Sequence, residues 1–497
     1  MLLIAAWLHP VCGQNSFNLA IPLQYPQGDI RHLTLDNDTI AGISIGFNNN
    51  VEWKQGVVLS KFDSSGNVLA SNIVLDSLGD ALAVGKAWGG IVKTSDGGYA
   101  AIAATVGRKS AFLIKLNNNL QVEFIKEYPD TVNLSNYAYT LIEVSGGYLL
   151  YGAIQRPDYY DDGFIRYVDK QGETIWFKYL SYSVYNNSIL DIKQVNDSIY
   201  VAGIGTGASI NPHTGFTSLL YFDLEGNELN YWASDIEPEI GYVRKIIPTN
   251  DGGIILFGLH KADFVSGTAL FQPTLSKLDS NFQIEWVSHF GPIRSLVSYI
   301  TLWDFAPTAD GHYIGAGETL VKDGDDPTRR VGWLYKFSAG GDSLWERKVN
   351  APFLPLYYTN SGFFGGVGVL SSGSIVAGGT TNEGNTDYCW LVKVTNDGCL
   401  DTLWCQTVVA APEVPGDMME VRVYPNPTKD ILNIGYPVSG TPRLLQVFDF
   451  HGRLVLAIDL PAQSSQMSIS TSQLSEGLYF VKLCGENTGS VKFIVSR

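Results

Sequence analysis

The stretch TSDGGYAAIAATVGRKSAFLIKLNNNLQVEFIKEY, residues 94–128, holds the pattern that decides the fold. A tight turn is followed by an apolar strand ending in small residues, a variable loop, a second apolar strand with a lysine near its end, another turn and a strand that carries an aromatic residue. Asp-Gly and Gly-Gly between apolar runs are strong signals for β-hairpins, because the favoured two-residue turns need φ > 0. The runs are too short for helices and lack a sustained 3.6-residue period. The stretch therefore predicts an antiparallel meander of short strands.

The same unit returns along the chain about every 55 residues, as a repeat protein would show. Clear copies lie at 249–290 and 308–345. The strand that ends near an aspartate position reads KFD, KLN, YVD, YFD, KLD, KFS and KVT, beginning at residues 61, 115, 167, 221, 277, 336 and 393. One such unit cannot bury both of its faces, whereas stacking the units around an axis covers the faces and protects the edges. We therefore predict an all-β fold with a seven-bladed β-propeller over residues 14–409.

Several conspicuous residues fall at fixed positions of this repeat. Trp176, Trp286 and Trp345 each follow the aspartate-like position by the same spacing, so we expect them to be equivalently placed and largely buried between blades rather than to bind sugars. The recurring lysines are expected to be structural or solvated. The segment FNLAIPLQYP (17–26) resembles the outer strand VEFIKEYP (122–129), and we expect it to complete the last blade and close the ring.

Composition excludes several classes of protein. Of 497 residues, 45% are hydrophobic, which rules out disorder of the whole chain. Lys and Arg number 33 against 49 Asp and Glu, a net charge of −16. Nucleic acids and anionic membranes attract basic patches, so neither is an expected partner. The motifs GxSxG, HExxH, GxGxxG and the P-loop are missing, and we predict neither catalytic residues nor cofactor-binding residues nor a metal centre.

Two acidic loops and one tyrosine pair leave alternatives open. Oxygen-rich loops can hold Ca²⁺, but on an acidic protein they can equally be solvated turns. The tyrosines could stack on a sugar or be an ordinary exposed pair. The loops contain Asp158, Asp161 and Asp162, and Asp323, Asp325 and Asp326; the tyrosines are Tyr159 and Tyr160.

The N-terminus reads as an export signal. MLLIAAWL (1–8) is an apolar run, and Val11 and Gly13 fit a cleavage site for a signal peptide over 1–13. No Lys or Arg precedes Arg31, which leaves the true start codon open. A buried strand and a lipoprotein modified at Cys12 are the alternatives. A transmembrane helix needs about 20 apolar residues, so none is predicted here.

Cysteine usage agrees with an oxidising compartment. Cys399 and Cys405 flank the segment LDTLW, which is short enough to be closed by a local disulfide, and we predict that pair. Cys389 and Cys484 fall in strand-like runs and are expected to be buried thiols.

A second pattern begins after a Pro-rich stretch. AAPEVPGD (410–417) lacks apolar alternation, so residues 410–420 are predicted to be a linker. Strict alternation in VRVY and VKFIV marks half-buried strands. Residues 421–497 are therefore predicted to form a small, Ig-like β-sandwich.

This C-terminal region closely resembles the type A C-terminal sorting domain of the type IX secretion system of the Bacteroidota. The resemblance rests on YPNP (424–427), VFDFHGR (447–453), LSEGLY (474–479) and the terminal strand. It implies that the secretion machinery recognises this domain, so that the protein crosses the periplasm and becomes secreted or displayed at the cell surface. A plain adhesion module is the alternative. The blades are also similar to cargo propellers found ahead of such domains. The residues that carry the motif are Tyr424, Pro425, Asn426, Pro427, Asp449, Gly452, Gly477, Tyr479 and Arg497.

The sequence favours a secreted or cell-surface binding propeller without enzymatic activity, whose extracellular ligand is a glycan or a protein. The alternative is a hydrolase or lyase that degrades glycans or peptides, with its site on one propeller face. Propeller sites collect residues from several blades, so linear motifs would not reveal one. Three or more inward carboxylates with arginine at the channel mouth would favour the enzyme, and an aromatic or featureless mouth would favour the binding protein.

Overall fold

The computed structural model describes residues 16–400 and 421–496 with several gaps. The predicted signal peptide, the predicted linker and Arg497 therefore lie outside the described residues. The gaps are 23–24, 26–29, 49–53, 85–89, 131–134, 159, 182–185, 208–215, 235–239, 266–267, 292, 296–300, 322–328, 352–361, 384–385, 437, 439–442, 450–453 and 485–489.

Residues Phe17–Gly398 form one compact unit built from antiparallel sheets. After β1 (Phe17–Ile21), sheet 1 contains β2 (His32–Asp36), β3 (Thr39–Asn48), β4 (Lys54–Phe62) and β5 (Val68–Val74). Sheet 2 contains β6 (Leu82–Ala83), β7 (Ile91–Lys93), β8 (Tyr99–Thr105), β9 (Ala111–Leu116) and β10 (Val122–Tyr128). Sheet 3 contains β11 (Ser135–Val144), β12 (Gly147–Gln155), β13 (Asp161–Asp169) and β14 (Thr174–Leu180).

The second half of the unit continues in the same way. Sheet 4 contains β15 (Asn186–Gln194), β16 (Ile199–Gly207), β17 (Phe216–Asp223) and β18 (Glu228–Ala233). Sheet 5 contains β19 (Tyr242–Pro248), β20 (Ile254–Val265), β21 (Thr268–Leu278), β22 (Ile284–His289) and β23 (Arg294–Ser295). Sheet 6 contains β24 (Thr301–Pro307), β25 (Tyr313–Val321), β26 (Arg329–Phe337) and β27 (Ser343–Val349). Sheet 7 contains β28 (Gly362–Val369), β29 (Ile375–Glu383), β30 (Thr386–Val394) and the N-terminal β1.

The sheets are arranged as in a propeller. One strand on the same side of each sheet, the first strand except in sheet 2, contacts its counterpart in the next sheet. The order is β2, β7, β11, β15, β19, β24 and β28, and β28 contacts β2. These inner strands surround a central axis. The predicted all-β class and its propeller-like arrangement are confirmed. The described residues form seven such sheets, and the blade number of the complete ring stays a prediction.

The N-terminal strand closes sheet 7, as expected from its similarity to an outer strand. β1 pairs with β30 in antiparallel register, with Phe17 opposite Lys393. Asn18 Oδ1 accepts a hydrogen bond from Trp390 Nε1 at 2.7 Å, and Trp390 is fully buried. The first strand of the unit is thus held by its last sheet.

The repeated aromatic residues are equivalently placed, but they are less buried than predicted. Trp176, Trp286 and Trp345 occupy the same register on the outer strands β14, β22 and β27. Trp345 is buried, whereas Trp176 and Trp286 are half-buried. Each ring packs against a turn glycine of the next sheet, which covers only one side of it; a β-carbon added to Gly341, for example, would lie 2.5 Å from the Trp286 ring. Outer strands border solvent, and among the described tryptophans Trp333 and Trp390, on third strands, are fully buried.

The C-terminal domain is a small β-sandwich with its own core, as predicted. One sheet contains β31 (Arg422–Tyr424), β32 (Ile431–Gly435) and β35 (Gln466–Ser470). The other contains β33 (Arg443–Asp449), β34 (Leu454–Leu460), β36 (Gly477–Cys484) and β37 (Ser490–Val495). Alternate side chains from both sheets, Leu432, Val447, Val481 and Phe493 among them, form the core. Across the part of the chain that the structure describes, no helix has the length and apolar character needed to cross a membrane.

Candidate functional site

A β-bulge near the start of several first strands determines which side chains face the central axis. The ladder register shifts between Ala138 and Thr140, Ile189 and Asp191, Val243 and Lys245, Leu302 and Asp304, and Phe364 and Gly366. A bulge adds one residue and re-aims side chains. Two sets of inward residues result: those in the bulge and those directly after it.

The residues directly after the bulge tie neighbouring first strands together. Asp191 accepts a hydrogen bond from the Ile246 backbone N–H of the next sheet at 3.1 Å, and Asp304 accepts one from the Val367 N–H at 3.0 Å. His32, at the matching position of β2, accepts the Ile91 N–H at Nδ1 over 3.4 Å. Two carboxylates and one imidazole thus form the same bridge between sheets.

Ion pairs complete this axial group. Lys245 lies 3.3 Å from Asp304, and Lys193 lies 3.0 Å from Asp191. Burial opposes ionisation of Asp304, but Lys245 and the Val367 N–H outweigh it and lower the pKa of the carboxyl. Burial lowers the pKa of His32 to about 4, so the imidazole is neutral at pH 7 and can accept a hydrogen bond. The axial group consists of His32, Asp191, Lys193, Lys245 and Asp304.

The bulge residues form a second group with a different character. The Arg244 guanidinium lies 4.5 Å from the ring centroid of Trp303. Trp303 Nε1 donates to Glu318 Oε1 at 3.2 Å, and Arg330 Nη1 donates to Glu318 Oε2 at 3.1 Å. Glu318 is therefore satisfied by Trp303 and Arg330.

Arg244 remains without such a partner. Its Nε makes no hydrogen bond, and within the described part of the chain no carboxylate lies within ion-pair distance of it. Burial lowers the pKa of Arg244, while Tyr242 and Glu318 act in the opposite direction. Burial raises the pKa of Tyr242 and of Tyr139, the bulge residue of β11, while the neighbouring Ser188 hydroxyl lowers the pKa of both phenols. The bulge group thus combines an unpaired cation with several hydroxyl groups.

One acidic side chain near these tyrosines has an unusual ionisation. Burial and the neighbouring Asp162 raise the pKa of Asp161, although Arg156 opposes them. Asp161 also raises the pKa of Tyr139 and of Tyr242. A carboxyl with a raised pKa is a candidate proton donor.

Arg156 forms ion pairs with two carboxylates of the acidic loop that the sequence singled out as a possible Ca²⁺ site. Arg156 pairs with Asp158 at 3.2 Å and with Asp162 at 3.4 Å, and its guanidinium lies 5.8 Å from the ring centroid of Tyr160. Outside the gaps in the structure, no three His, Cys, Asp or Glu side chains form a group that could hold a metal ion. Tyr159, Asp323, Asp325 and Asp326 lie outside the described residues.

Two residues of the predicted sorting motif, Asn426 and Tyr479, contact the terminal strand β37. Asn426 Oδ1 accepts the Ile494 N–H at 2.9 Å, and Asn426 Nδ2 donates to the Lys492 carbonyl at 3.1 Å. Tyr479 is buried and stacks on Phe493 with centroids 5.5 Å apart. Asn426 and Tyr479 thereby hold β37 from both sheets.

The other motif residues are placed as follows. Tyr424 ends β31 and is half exposed, and Pro425 and Pro427 flank Asn426. Gly477 begins β36 and Asp449 ends β33. Gly452 and Arg497 lie outside the described residues. Cys399 is disulfide-bonded, but Cys405 is also outside them, so their pairing stays a prediction. Cys389 is a buried thiol outside any disulfide, as expected.

Sequence reasoning did not find the axial or bulge residues. His32, Asp191 and Asp304 occupy one structural position, but His32 differs from the two aspartates in residue type and charge. One pattern in the sequence could have revealed this shared position. Each of the three residues precedes the recurring hairpin turn of its sheet by a similar number of residues. An extra residue in the bulge and unequal turns blur that spacing.

Comparison with known proteins identifies the C-terminal region. Residues 422–497 match the family model described as a secretion system C-terminal sorting domain. No curated protein matches the chain. The tail confirms the resemblance drawn from the YPNP segment and the terminal strand, and it indicates export to the cell surface or the extracellular space.

Among solved structures, the similarities are distant. The Dos1 propeller is 8% identical, with a TM-score of 0.44, covering 77% of this chain and 95% of that one. Polysaccharide lyase Uly1 is 11% identical, with a TM-score of 0.42, covering 74% and 90%. An endo-arabinase from Bacteroides thetaiotaomicron is 10% identical, with a TM-score of 0.33, covering 62% and 93%. These similar structures include two enzymes and one protein described only as a propeller. None of the similarities bears on the function of this chain.

Proposed function

We propose that this protein is a non-catalytic binding propeller that the type IX secretion system exports by recognising residues 421–497. The sorting tail supports the route of export and makes the secretion machinery a partner. The ring would then act outside the cell on an extracellular ligand.

The observation that carries the binding role is how the inward carboxylates are engaged. Asp191 and Asp304 each accept a backbone N–H from the next sheet and pair with a lysine. Glu318 accepts from Trp303 and Arg330. General acids and bases need free access to a substrate and a pKa matched to their task. Carboxylates that are engaged in this way stabilise the contacts between sheets and are not available for acid–base catalysis. A binding function is therefore favoured over a catalytic one.

A hydrolase or lyase is the second candidate because of Asp161. Its raised pKa and its position near Tyr139 and Tyr242 suit a general acid. Glycan cleavage by the usual route also needs a second carboxylate beside the scissile bond, and Asp162, the nearest one, pairs with Arg156.

One experiment separates these functions. The purified full chain is incubated with immobilised neutral and acidic polysaccharides, such as xylan and polygalacturonate, while retention and the release of new reducing ends or unsaturated products are both measured. We expect retention without bond cleavage. Cleavage that Asp161→Asn abolishes would replace the binding function by the enzymatic one, and neither retention nor cleavage would contradict both.

A further inference from the structure

The bulge group contains one cation, Arg244, that forms no ion pair with the described residues. Most charged side chains near the axis are paired: Lys245 with Asp304, Lys193 with Asp191 and Arg330 with Glu318. Arg244 alone among these has a stacked aromatic ring in place of an anion, and its Nε is buried without a hydrogen bond. Leaving a buried donor unsatisfied destabilises a protein, so such a group calls for an explanation.

The surroundings of Arg244 favour a negatively charged ligand. Arg244 and Arg330 share a single carboxylate, Glu318, so the cations outnumber the anion between them although the chain carries a net charge of −16. The guanidinium lies over the Trp303 ring, and in the described part of the chain no carboxylate within ion-pair distance engages its N–H donors. A planar fork of donors fits a carboxylate in bidentate geometry.

Hydroxyl groups beside Arg244 indicate what carries that carboxylate. Ser188 is a neighbour of both Tyr139 and Tyr242. Arg244, Tyr139, Tyr242 and Trp303 are all half-buried, so each keeps some surface open to solvent. Hydroxyls both donate and accept hydrogen bonds, as the hydroxyls of a sugar do. A peptide carboxylate could also pair with the arginine. A peptide, however, offers fewer groups that could hydrogen-bond with the neighbouring hydroxyls of Tyr139, Ser188 and Tyr242.

We infer that Arg244, backed by Trp303, binds the carboxylate of an acidic sugar of the uronic acid type, while Tyr242, Ser188 and Tyr139 bind its hydroxyl groups. This inference rests on the proposed binding function and specifies its ligand. The bound carboxylate supplies the anion that Arg244 lacks.

The test compares two sugars that differ only at the charged group. Titration calorimetry of the full chain with glucuronate and with glucose should give saturable binding of glucuronate and at least tenfold weaker binding of glucose. Arg244→Ala should lower the affinity for glucuronate about 10- to 100-fold, the loss expected for a charged hydrogen-bonded pair. Arg244→Lys keeps the charge but not the fork, and we expect an intermediate affinity.

Arg166 supplies a matched control. Its guanidinium also stacks on aromatic rings, 4.3 Å from Phe177 and 4.9 Å from Tyr128, and burial lowers its pKa, but it lies on a third strand away from the axis. Arg166→Ala should leave glucuronate binding unchanged. Thermal unfolding of each variant identifies any loss of fold, and Arg244→Lys keeps the test decisive if Arg244→Ala does not fold.

Several results would overturn the inference. Equal affinities for glucuronate and glucose would remove the carboxylate from recognition. Equal effects of Arg244→Ala and Arg166→Ala would remove Arg244. Binding of N-acetylglycylglycine as tight as that of glucuronate would replace the sugar by a peptide. If glucuronate does not bind while the full chain is still retained on xylan, the ligand is wrong and the proposed binding function stands.

Discussion

Single residues of the propeller unit often connect two sheets at once. Lys336 Nζ lies 2.6 Å from Asp310 Oδ2 in its own sheet and 2.7 Å from Asn396 Oδ1 in the next. Lys393 Nζ donates in the same way to the Ser64 carbonyl of sheet 1 at 2.9 Å. A buried cation needs compensation from neighbouring groups. Lys336 and Lys393 therefore connect neighbouring sheets, which favours the structural one of the two roles predicted for the recurring lysines.

Two turn glycines, one in contact with the next sheet and one without such a contact, allow a test of how much packing between sheets contributes to stability. Gly341 has φ of 86° and an added β-carbon would lie 2.5 Å from the Trp286 ring, whereas Gly311 has φ of 78° and no atom within 4 Å of such a carbon. Gly311→Ala should therefore cost only the left-handed backbone, about 1 kcal/mol. Gly341→Ala should cost about 2–4 kcal/mol, because the indole must move as well. Urea unfolding of both variants measures the difference, and equal losses would show that Trp286 is not seated on this turn.

His32 gives a prediction about pH. Its pKa in the folded chain, about 4, is below the ordinary value of 6.5, so its contribution to stability is full above pH 6.5 and is lost as the pH falls toward 4. The loss by pH 4.5 should be about 2–3 kcal/mol. His32→Asn keeps an acceptor for the Ile91 N–H and does not titrate, so the acid-induced loss of unfolding free energy should shrink by that amount.

One further variant makes the pH test specific. His312→Asn serves as a control, because that histidine lies away from the axial group on the turn before β25. The acid-induced loss of unfolding free energy should be smaller in His32→Asn than in this variant. An undiminished acid effect in His32→Asn would mean that the imidazole is already charged near neutral pH.

Among the elements, β1 contributes more than its five residues suggest. It covers the outer edge of β30, and Asn18 accepts from the buried Trp390. An uncovered edge strand exposes unpaired backbone groups and invites aggregation.

Truncation tests this closing strand. Removal of residues 1–21 should lower the melting temperature of the propeller unit and produce aggregates in size-exclusion chromatography, because the edge of β30 and the Trp390 indole lose their partners. Removal of residues 1–15 keeps β1 and should leave both properties unchanged. Equal behaviour of the two truncations would contradict the role of β1 in closure.

The elements also show what sequence could and could not predict. The hairpin turns, the apolar strands and the similarity of 17–26 to an outer strand all depend on local residue types, and these predictions were right. The position of Asp191 beside the Ile246 N–H depends on a bulge and on a neighbour in another sheet. Such contacts are set by the three-dimensional register, so neither the axial group nor Arg244 could be read from one strand. The burial of Trp176 was overestimated for a related reason: periodicity gives a repeat position but not the depth of that position.

At the scale of the whole molecule, the chain contains a propeller unit and a tail with separate cores. Deletion of residues 421–497 should leave a folded propeller in the periplasm of a type IX-competent host, because the recognised domain is lost while the sheets of the ring are intact. Cell fractionation with circular dichroism of the purified fragment measures location and fold.

Shorter changes in the tail refine this result. Deletion of 491–497 removes Phe493 and Val495 from the tail core and the strand that Asn426 holds, so we expect it to block delivery as well. Asp459→Asn, on the exposed surface of the same domain and outside the motif segments, should be delivered normally. Normal surface delivery of the 421–497 deletion would refute the sorting role.

Pairing of β1 with β30 has a consequence for the timing of folding. The two strands come from opposite ends of the propeller unit, and contacts between distant parts of a chain form slowly. A chain that emerges N-terminus first cannot close its ring until Val394 has left the ribosome or the translocation channel. Until then β1 has no sheet to join, and an incomplete ring exposes strand edges that are prone to aggregation. The N-terminal strand thus acts as a check on completeness, since only a chain translated or translocated past its last blade becomes a compact particle.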